Sequence, residues 1–433
     1  MPPSKPLLRA TFGAAASLRY CRSVSTLALA VAAIVSPSID AAESGLSFAE
    51  ALKIAVTRSQ QIVSQRAMAE AAGEMVVSAG ELPDPKLKAG VENVPVEGPD
   101  AWSLKRDFMT MSKIGLMQEF PREEKRRLKT ERAQRDVERG TAAVEATTLA
   151  VERDAANAWV TRRFAEDAER AIAAQIAEAD LNATTVAAAY RAGKAPQSEL
   201  ITAQSLVVEL RNRATEAAAQ SKRARITLTR YIGPAAELPL GAPPDFTRLS
   251  DRVRNADVEA QPELRLARAQ ESVAAANAAL AGAAKLPDWS AEVSYAVRGS
   301  PYSNMISLMF SIDLPWSPGT RQEREHVAKL KELDAARAMR EDTQRMRAAE
   351  VDSMLTEWES AGTQAKRTES ELLPLAVQRR EAALAAYRGG TGPLSAVLDA
   401  RRALLDAQLA LITQQQAAAK AWAWLNFVVQ VLE

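Results

Sequence analysis

Residues that commonly support catalysis or metal binding are scarce in this chain of 433 residues. His326 is the single histidine and Cys21 the single cysteine. Glu323 and His326 form a Glu-x-x-His pair, but a di-metal helical bundle needs two such pairs and the chain has one. No glycine-rich phosphate loop follows a predicted strand. We therefore predict no enzymatic activity and no cofactor, and we interpret His326 as exposed to water.

A softer ligand, the methionine thioether, recurs in two segments of alternating polarity. Met109, Met111 and Met117 lie in the first segment, and Met305 and Met309 lie in the second. All five fall in the polar phase of the alternation. Thioethers suit soft ions such as Cu(I) or Ag(I), but methionine also fills irregular space inside proteins. Both interpretations stay open, and the five are weak candidates for metal ligands.

Both segments are predicted to form β-hairpins. In 288–315, apolar and polar residues alternate from Trp289 to Val297 and again from Ile306 to Leu314, with a Gly-Ser-Pro turn between. The segment 85–120 has the same pattern less strictly. Strands of about ten residues have the length of tilted transmembrane strands. Four strands cannot close a sheet, so further copies of the chain are needed to close it.

The chain contains an internal duplication. The sequence AYRAGKAPQSELITAQ at 189–204 returns as AYRGGTGPLSAVLDAR at 386–401. We therefore predict two structural repeats, 42–232 and 262–433, each with a helix, a hairpin, a long helix and a further helix. A linker, 233–261, begins with a proline-rich stretch that breaks the helix between the two copies.

Most of the remaining sequence is predicted to be helical. Between Pro121 and Gly193 there is no proline and one glycine, which predicts a helix of about 100 Å. A second long helix is predicted from about Pro318 to Arg388. Adjacent apolar pairs at seven-residue spacing are typical of helices that touch two neighbours. The shorter predicted helices are 47–80, 197–231, 262–285 and 394–430.

The N-terminus predicts the compartment. Basic residues precede an apolar run from Val24 to Val35, and small residues follow near Ala41, as in a secretory signal peptide, residues 1–41. The run is too short to span a bilayer. Cys21 precedes the run, so we predict a mature chain without a lipid anchor. The chain has 55 basic and 54 acidic residues, a balance that does not suggest nucleic acid as a partner.

Together, the signal peptide, the duplicated halves, one strand pair per half and the long helices resemble the TolC family of outer-membrane efflux factors. The repeated Tyr-Arg-x-Gly-x-x-Pro-x-Ser motif, at Tyr190 and Tyr387, is typical of the periplasmic turns of that family. The resemblance implies a mainly α protomer with four transmembrane β-strands. It also implies a homotrimer that closes a twelve-stranded β-barrel in the outer membrane, continued across the periplasm by a long α-helical coiled-coil barrel.

The resemblance further implies contact with outer-membrane lipid and two protein partners, a periplasmic adaptor (membrane fusion protein) and an inner-membrane RND transporter. The segment 82–127 is most similar to factors that serve heavy-metal exporters of the cobalt–zinc–cadmium or copper–silver type. The predicted function is therefore export of heavy-metal cations from the periplasm or cytoplasm to the exterior. Multidrug efflux and type I protein secretion are alternatives within the family. A periplasmic coiled-coil adaptor is an alternative from another class, which the amphipathic strands disfavour.

The resemblance also assigns roles to individual residues. Three symmetry-related copies of Asp399, with Glu199 nearby, would repel one another and attract cations at a periplasmic constriction; the alternative is a solvated charge at a helix end. In the family, a basic residue latches this turn. The matching position in this chain is Gly392, so Arg388, Arg191 or Arg401 would have to substitute for the basic residue. The predicted constriction comprises Asp399, Glu199, Arg388, Arg191 and Tyr387. The predicted adaptor-docking turns comprise Gly193, Pro196, Gly389, Gly390, Gly392 and Pro393. The predicted lipid-facing side chains are Trp289, Val293, Tyr295, Leu308 and Phe310.

Overall fold

A computed structural model describes residues 45–249, 253, 258–300 and 302–427. The predicted signal peptide, 1–41, lies outside the described residues. Within the part of the chain that the structure describes, none of the helices combines the length and the hydropathy that a bilayer-spanning helix needs.

The first half of the described chain contains four helices and two strands. They are α1 (Phe48–Arg58), α2 (Gln60–Gly80), β1 (Lys86–Glu92), β2 (Met111–Phe120), α3 (Glu123–Arg191) and α4 (Gln197–Ile232). The single helix predicted at 47–80 is wrong, because Ser59 ends α1 and caps α2. The Ser59 hydroxyl accepts a hydrogen bond of 3.4 Å from the Ile62 N–H. Serine side chains often form such bonds to nearby backbone groups, and these bonds compete with the hydrogen bonds of a continuous helix.

The second half repeats the order helix, strand, strand, long helix and helix. Its elements are α5 (Pro262–Ala283), β3 (Trp289–Arg298), β4 (Met305–Ile312), α6 (Gln322–Arg367), α7 (Leu373–Arg388) and α8 (Leu394–Asn426). Short 3₁₀ helices at Gly233–Glu237 and Val258–Ala260 lie between the halves.

The two long helices differ in continuity. Helix α3 runs for 69 residues without interruption, as predicted. The corresponding helix of the second half is interrupted by a π-helical turn at Thr368–Leu372, between α6 and α7. Pro374 follows this turn, and its ring excludes a normal α-helical approach of the Ser370 carbonyl while its nitrogen donates no hydrogen bond. The wider π turn accommodates both effects.

The four strands form one antiparallel sheet in the order β1-β2-β3-β4, so the two predicted hairpins pair with each other through β2 and β3. The helices pack side by side. On the side nearer the strands, α2 packs on α3, α3 on α5, and α5 on α6. Farther away, α4 packs on α3, α3 on α8, and α8 on α6 and α7. Helix α3 is therefore central in the layer, and α2 and α6 lie at its edges.

Close packing next to α3 depends on small residues. A Cβ on Gly140 of α3 would lie 3.0 Å from both the Cα and the Cβ of Ala69 in α2, a distance that side-chain atoms rarely reach. The one glycine inside the predicted long helix therefore allows α2 and α3 to approach closely.

The main core lies where α1, α3, α4 and α8 meet the linker. Trp159 of α3 is fully buried and contacts Phe48 edge to face, with ring centroids 5.5 Å apart. Trp422 of α8 contacts Phe246 of the linker in the same way, at 5.2 Å. Such aromatic pairs contribute beyond the area they bury.

Side-chain donors on the helices hold the linker in place. The guanidinium of Arg162, only 2% exposed, donates hydrogen bonds of 2.7 Å to the Ala236 carbonyl and 2.9 Å to the Leu238 carbonyl. The indole N–H of Trp358 donates to the Phe246 carbonyl at 2.9 Å. These charged and aromatic donors satisfy backbone carbonyls of the linker.

Candidate functional site: the amphipathic sheet and the helical turns

The register of the sheet aligns the apolar phases of all four strands. Trp289 of β3 lies opposite Phe120 of β2 and Ile312 of β4, and its ring stacks on Phe120 at 4.3 Å. Toward the other end, Tyr295 lies opposite Ile114 and Ile306. Because side chains alternate between faces, one face carries the residues of the apolar phase. We call this the outward face.

Exposure is inverted relative to a water-soluble sheet. On β3, Trp289, Val293 and Tyr295 are 45%, 49% and 43% exposed, whereas Ser294 and Glu292 of the other phase are 4% and 9% exposed. The polar residues therefore lie on the opposite face, which we call the inward face. The outward face includes all five side chains predicted to face lipid, namely Trp289, Val293, Tyr295, Leu308 and Phe310. Their contact with lipid stays a prediction.

Ion pairs cross the inward face from strand to strand. Glu292 of β3 lies 2.7 Å from the ammonium of Lys88 in β1 and 3.6 Å from that of Lys113 in β2. Lys113 also lies 3.2 Å from Glu92. A further pair joins Lys86 to Glu119. The sequence predicted the polar phase of these residues, but their pairing depends on strand register and was not predicted.

The methionines follow the predicted phase with one exception. Met111, Met117, Met305 and Met309 lie in strands, in the inward phase. Met109 lies before β2, so its placement in a strand was wrong. The Asp107 carboxylate accepts a hydrogen bond of 2.8 Å from the Met109 N–H and one of 3.2 Å from the Thr110 N–H, which favours a turn there.

The two helical turns have the same backbone structure 197 residues apart. Gly193 and Gly390 adopt φ values of 70° and 73°, a region that favours glycine. The Lys194 N–H bonds the Ala189 carbonyl at 2.8 Å, and the Thr391 N–H bonds the Ala386 carbonyl at 2.9 Å. The motif is the common glycine-terminated helix end.

The remaining predicted turn residues have different roles. Pro196 and Pro393 cap α4 and α8 in the same extended conformation, with ψ of 155° in both. Gly389 has a φ of −76°, which any residue adopts, so the reversal does not require glycine at this position. A Cβ on Gly392 would lie 3.1 Å from the Ala386 Cβ, so this glycine permits close approach. All of these residues lie at one end of the helices, where adaptor docking stays a prediction.

The predicted constriction residues lie near these turns. Asp399 has a side chain that is 62% exposed, and its nearest cation is Arg402, at 3.9 Å. Arg401 lies 3.8 Å from Glu178, and the Arg191 guanidinium donates to the Ala187 carbonyl at 3.2 Å.

The other three members of the set occupy distinct positions. Glu199 is half-buried in the first turn of α4. Tyr387 packs against an apolar cluster that includes Leu394, whereas Arg388 is exposed at the end of α7. The tyrosine thus packs at the turn, and the constriction itself stays a prediction.

A charge network between α4 and α8 was not predicted. Arg402 lies 2.6 Å from Glu209, and Arg213 lies 3.2 Å from Glu209 and 2.9 Å from Asp406. These residues flank the apolar heptad positions of both helices, where charged pairs commonly select partners. That flanking position was the available signal in the sequence.

His326 is not simply solvated. It is half-buried, and its imidazole lies against Gly282 of α5, whose Cβ position would be 3.3 Å from Nε2. Neighbouring Glu323 lies 2.5 Å from the ammonium of Lys285, and this hydrogen bond lowers the pKa of the Glu323 carboxyl. Glu323 is thus engaged in an ion pair. Across the described ranges, no group of three or more His, Cys, Asp or Glu side chains is arranged to hold a metal ion.

Comparison with known proteins gives matches to the family and to the fold. Residues 256–429 match the outer membrane efflux protein family. No curated protein matches the chain in sequence. The outer membrane protein VceC from Vibrio cholerae is similar in structure, with a TM-score of 0.73, 18% identity, and coverage of 88% of this chain and 95% of VceC.

Two further solved structures have the same fold. The CmeC outer membrane channel of Campylobacter jejuni gives a TM-score of 0.75 at 14% identity, covering 88% of this chain and 85% of CmeC. CusC, whose structures concern folding and transmembrane channel formation, gives a TM-score of 0.73 at 14% identity, covering 88% of this chain and 91% of CusC.

The comparisons confirm the predicted fold class, a mainly helical protomer with a small sheet. The matched family and channels concern transport rather than catalysis, in agreement with the prediction that the chain is not an enzyme. The chain thus matches the outer membrane efflux proteins in sequence over residues 256–429, and over most of its length it has the fold of outer membrane channels.

Proposed function

We propose that the chain is the protomer of an outer-membrane channel in a tripartite RND-type efflux system. The amphipathic sheet carries this proposal. The outward phase of the four strands contains no charged residue, and the inward phase contains seven. Lipid outside and water inside would satisfy both faces.

Closure of the sheet would require further copies of the chain. The order β1-β2-β3-β4 leaves β1 and β4 as edges whose outer backbone groups have no strand partner among the described residues. Three copies that pair β4 of one with β1 of the next would give a closed sheet of twelve strands. A signal peptide cleaved near Ala41 would direct the chain out of the cytoplasm.

The opposite end of the protomer is suited to protein partners. The turns around Gly193 and Gly390 are exposed and have the same backbone structure, so three protomers would present six similar tips. A periplasmic adaptor docked on these tips would connect the channel to an inner-membrane RND transporter. A passive conduit of this kind needs no catalytic site.

For the cargo we propose heavy-metal cations. Four thioethers occupy the inward phase, and two of them, Met117 and Met309, lie directly opposite Glu292 on either side. Thioethers suit soft ions such as Cu(I) and Ag(I). Multidrug efflux or type I protein secretion would use the same channel and is the alternative cargo class.

A deletion strain tests both levels of the proposal. Growth is scored against copper, silver, zinc, cadmium and cobalt salts, and against several antibiotics and detergents. We expect the deletion strain to be sensitive to one or two metals only, and we expect the wild-type gene to restore its tolerance. Sensitivity to drugs and detergents alone would contradict the metal cargo but preserve the channel. Recovery of the protein only from soluble periplasm would contradict the channel itself.

Complementation with M111L/M117L/M309L separates the methionines from the channel as a whole. We expect this variant to reach the outer membrane in wild-type amounts and to give several-fold lower silver or copper tolerance than wild type. The variant M339L/M346L, altered on α6 outside the sheet, is the matched control. Equal metal tolerance of the two variants would exclude a role for the strand thioethers.

A further inference from the structure

Glu292 lies at the centre of the ion pairs on the inward face. Its side chain is 11% exposed, whereas those of Glu92 and Glu119 are 49% and 39% exposed. It faces the ammonium groups of Lys88 and Lys113, which come from two other strands. One shielded carboxylate therefore pairs with two lysines, one of which, Lys113, it shares with Glu92.

The space around Glu292 is shaped by a glycine. A Cβ on Gly115 of β2 would lie 3.3 Å from the Glu292 carboxylate and 2.9 Å from the Ser294 Cβ. A larger residue at 115 would displace the carboxylate from between the lysines. The geometry thus holds the Glu292 side chain in one place, unlike the solvated carboxylates near the ends of the strands.

The charges of the inward face nearly cancel. Four cationic and three anionic side chains leave one net positive charge per protomer. The cationic residues are Lys86, Lys88, Lys113 and Arg298, and the anionic residues are Glu92, Glu119 and Glu292. In a pore with low-dielectric walls, fixed charges set the local concentration of mobile ions. Removal of one shielded carboxylate would double this net charge.

We infer that Glu292 is the residue that sets the ion selectivity of the strand-lined segment, because it offsets the charge of Lys88 and, together with Glu92, that of Lys113. This inference rests on the proposed channel function and adds a specificity-determining residue to it. With Glu292 in place, the segment favours neither sign of charge strongly. Cargo of either charge then passes, and any preference for soft ions comes from the thioethers rather than from net charge.

Purified full-length protein in planar lipid bilayers tests the inference. The K⁺/Cl⁻ permeability ratio is measured under a KCl gradient for wild type and for size-matched neutral variants. We expect E292Q to lower the ratio at least about twofold, because Lys88 loses its counter-charge and Lys113 keeps only Glu92. K88Q and K113Q should raise it, since they remove charge of the opposite sign. E123Q, exposed at the start of α3 and outside the strands, should leave it unchanged.

The outcomes separate this inference from the channel itself. If E292Q, K88Q and K113Q conduct with the wild-type ratio, Glu292 does not set selectivity, although the channel stands. A higher ratio in E292Q would also overturn the inference. If E292Q fails to assemble, the two lysine variants decide by the direction of their shift. Absence of conductance from wild-type protein would contradict the channel, and with it the role of Glu292.

Discussion

The long helices of the two halves occupy equivalent places in the duplication but unlike places in the protomer. Helix α3 has packed helices on both of its sides, including α2, α4, α5 and α8. The corresponding pair α6 and α7 lies at the edge of the layer and packs on α5 and α8 only along one side. Sixteen residues of α3 are buried, against three of α6 and one of α7. The duplicated sequence therefore forms a helix packed on both sides in the first half, α3, and helices packed on one side only in the second half, α6 and α7.

The difference indicates where the protomer lacks a partner. The edge helices expose methionines in pairs seven residues apart, Met68 and Met75 on α2, and Met339 and Met346 on α6. Their exposed fractions are 60%, 62%, 68% and 47%. Seven-residue spacing is the contact spacing of packed helices. In the proposed trimer, α6 of one protomer would pack on α2 of the next.

The largest effect is expected from charges on the α2 edge. The variant M68D/M75D should lose most of its trimer, because an unpaired carboxylate buried in an apolar contact costs several kcal/mol. Trimer content is measured as the fraction of outer-membrane protein that migrates as trimer on gels before heating.

Volume-conserving replacement is the control for this edge. The variant M68L/M75L should retain the trimer, since leucine and methionine exchange at little cost. If M68D/M75D also retained it, α2 would not lie at a contact between protomers. The difference in burial between α3 and the edge helices would then not indicate where protomers contact one another.

Local patterns in the sequence predicted much of the fold for a physical reason. Period-two alternation in 288–315 reflects the different surroundings of the two faces of a strand. The lack of proline in 122–191 reflects what the backbone of a helix tolerates. Both features can therefore be recognised in the sequence alone. The same holds for the turns, where Gly193 and Gly390 recur at one spacing. Strand phase, long helices and turns were accordingly predicted.

Other features depend on distances between elements. The partners of Glu292, and the pairing of Arg402 with Glu209, are set by strand register and helix packing across about 200 residues of chain. The break at Ser59 and the turn at Asp107 depend on single side-chain hydrogen bonds to the backbone that compete with regular structure. Such competitions are weak in the sequence pattern, and the prediction therefore placed Met109 in a strand.

An intermediate effect is expected from exchanging the proline between the long helices. Position 177 in α3 corresponds to Pro374 at the 197-residue spacing, and Ala177 is exposed. A177P should destabilise the protein by about 3 kcal/mol, because it removes a hydrogen bond and clashes within an unbroken helix. The free energy of unfolding, measured in urea, checks this value.

The reverse change should have the opposite sign. P374A restores an N–H donor where the chain has adopted a π turn, so it should be neutral or stabilising, and hydrogen exchange across 366–374 should slow. If P374A instead destabilised the protein as much as A177P, the π turn would be fixed by packing rather than caused by the proline.

The smallest effect is expected at the helical turns, where the two halves should behave alike. G193A and G390A should each cost about 1 kcal/mol, because alanine is strained at positive φ. No atom lies within 4 Å of a Cβ built on either glycine, so backbone strain is the whole expected cost. G389A is the matched control: its φ of −76° suits alanine, and the change should be close to neutral. Thermal unfolding of the three variants measures these differences.

Equal costs at 193 and 390 would show that the duplication preserved the turns while the long helices diverged. A much larger cost at 390 would mean that the turn at the end of α7 depends on contacts beyond its own backbone, as expected if an edge helix, with few packed neighbours, relies on its turn for position.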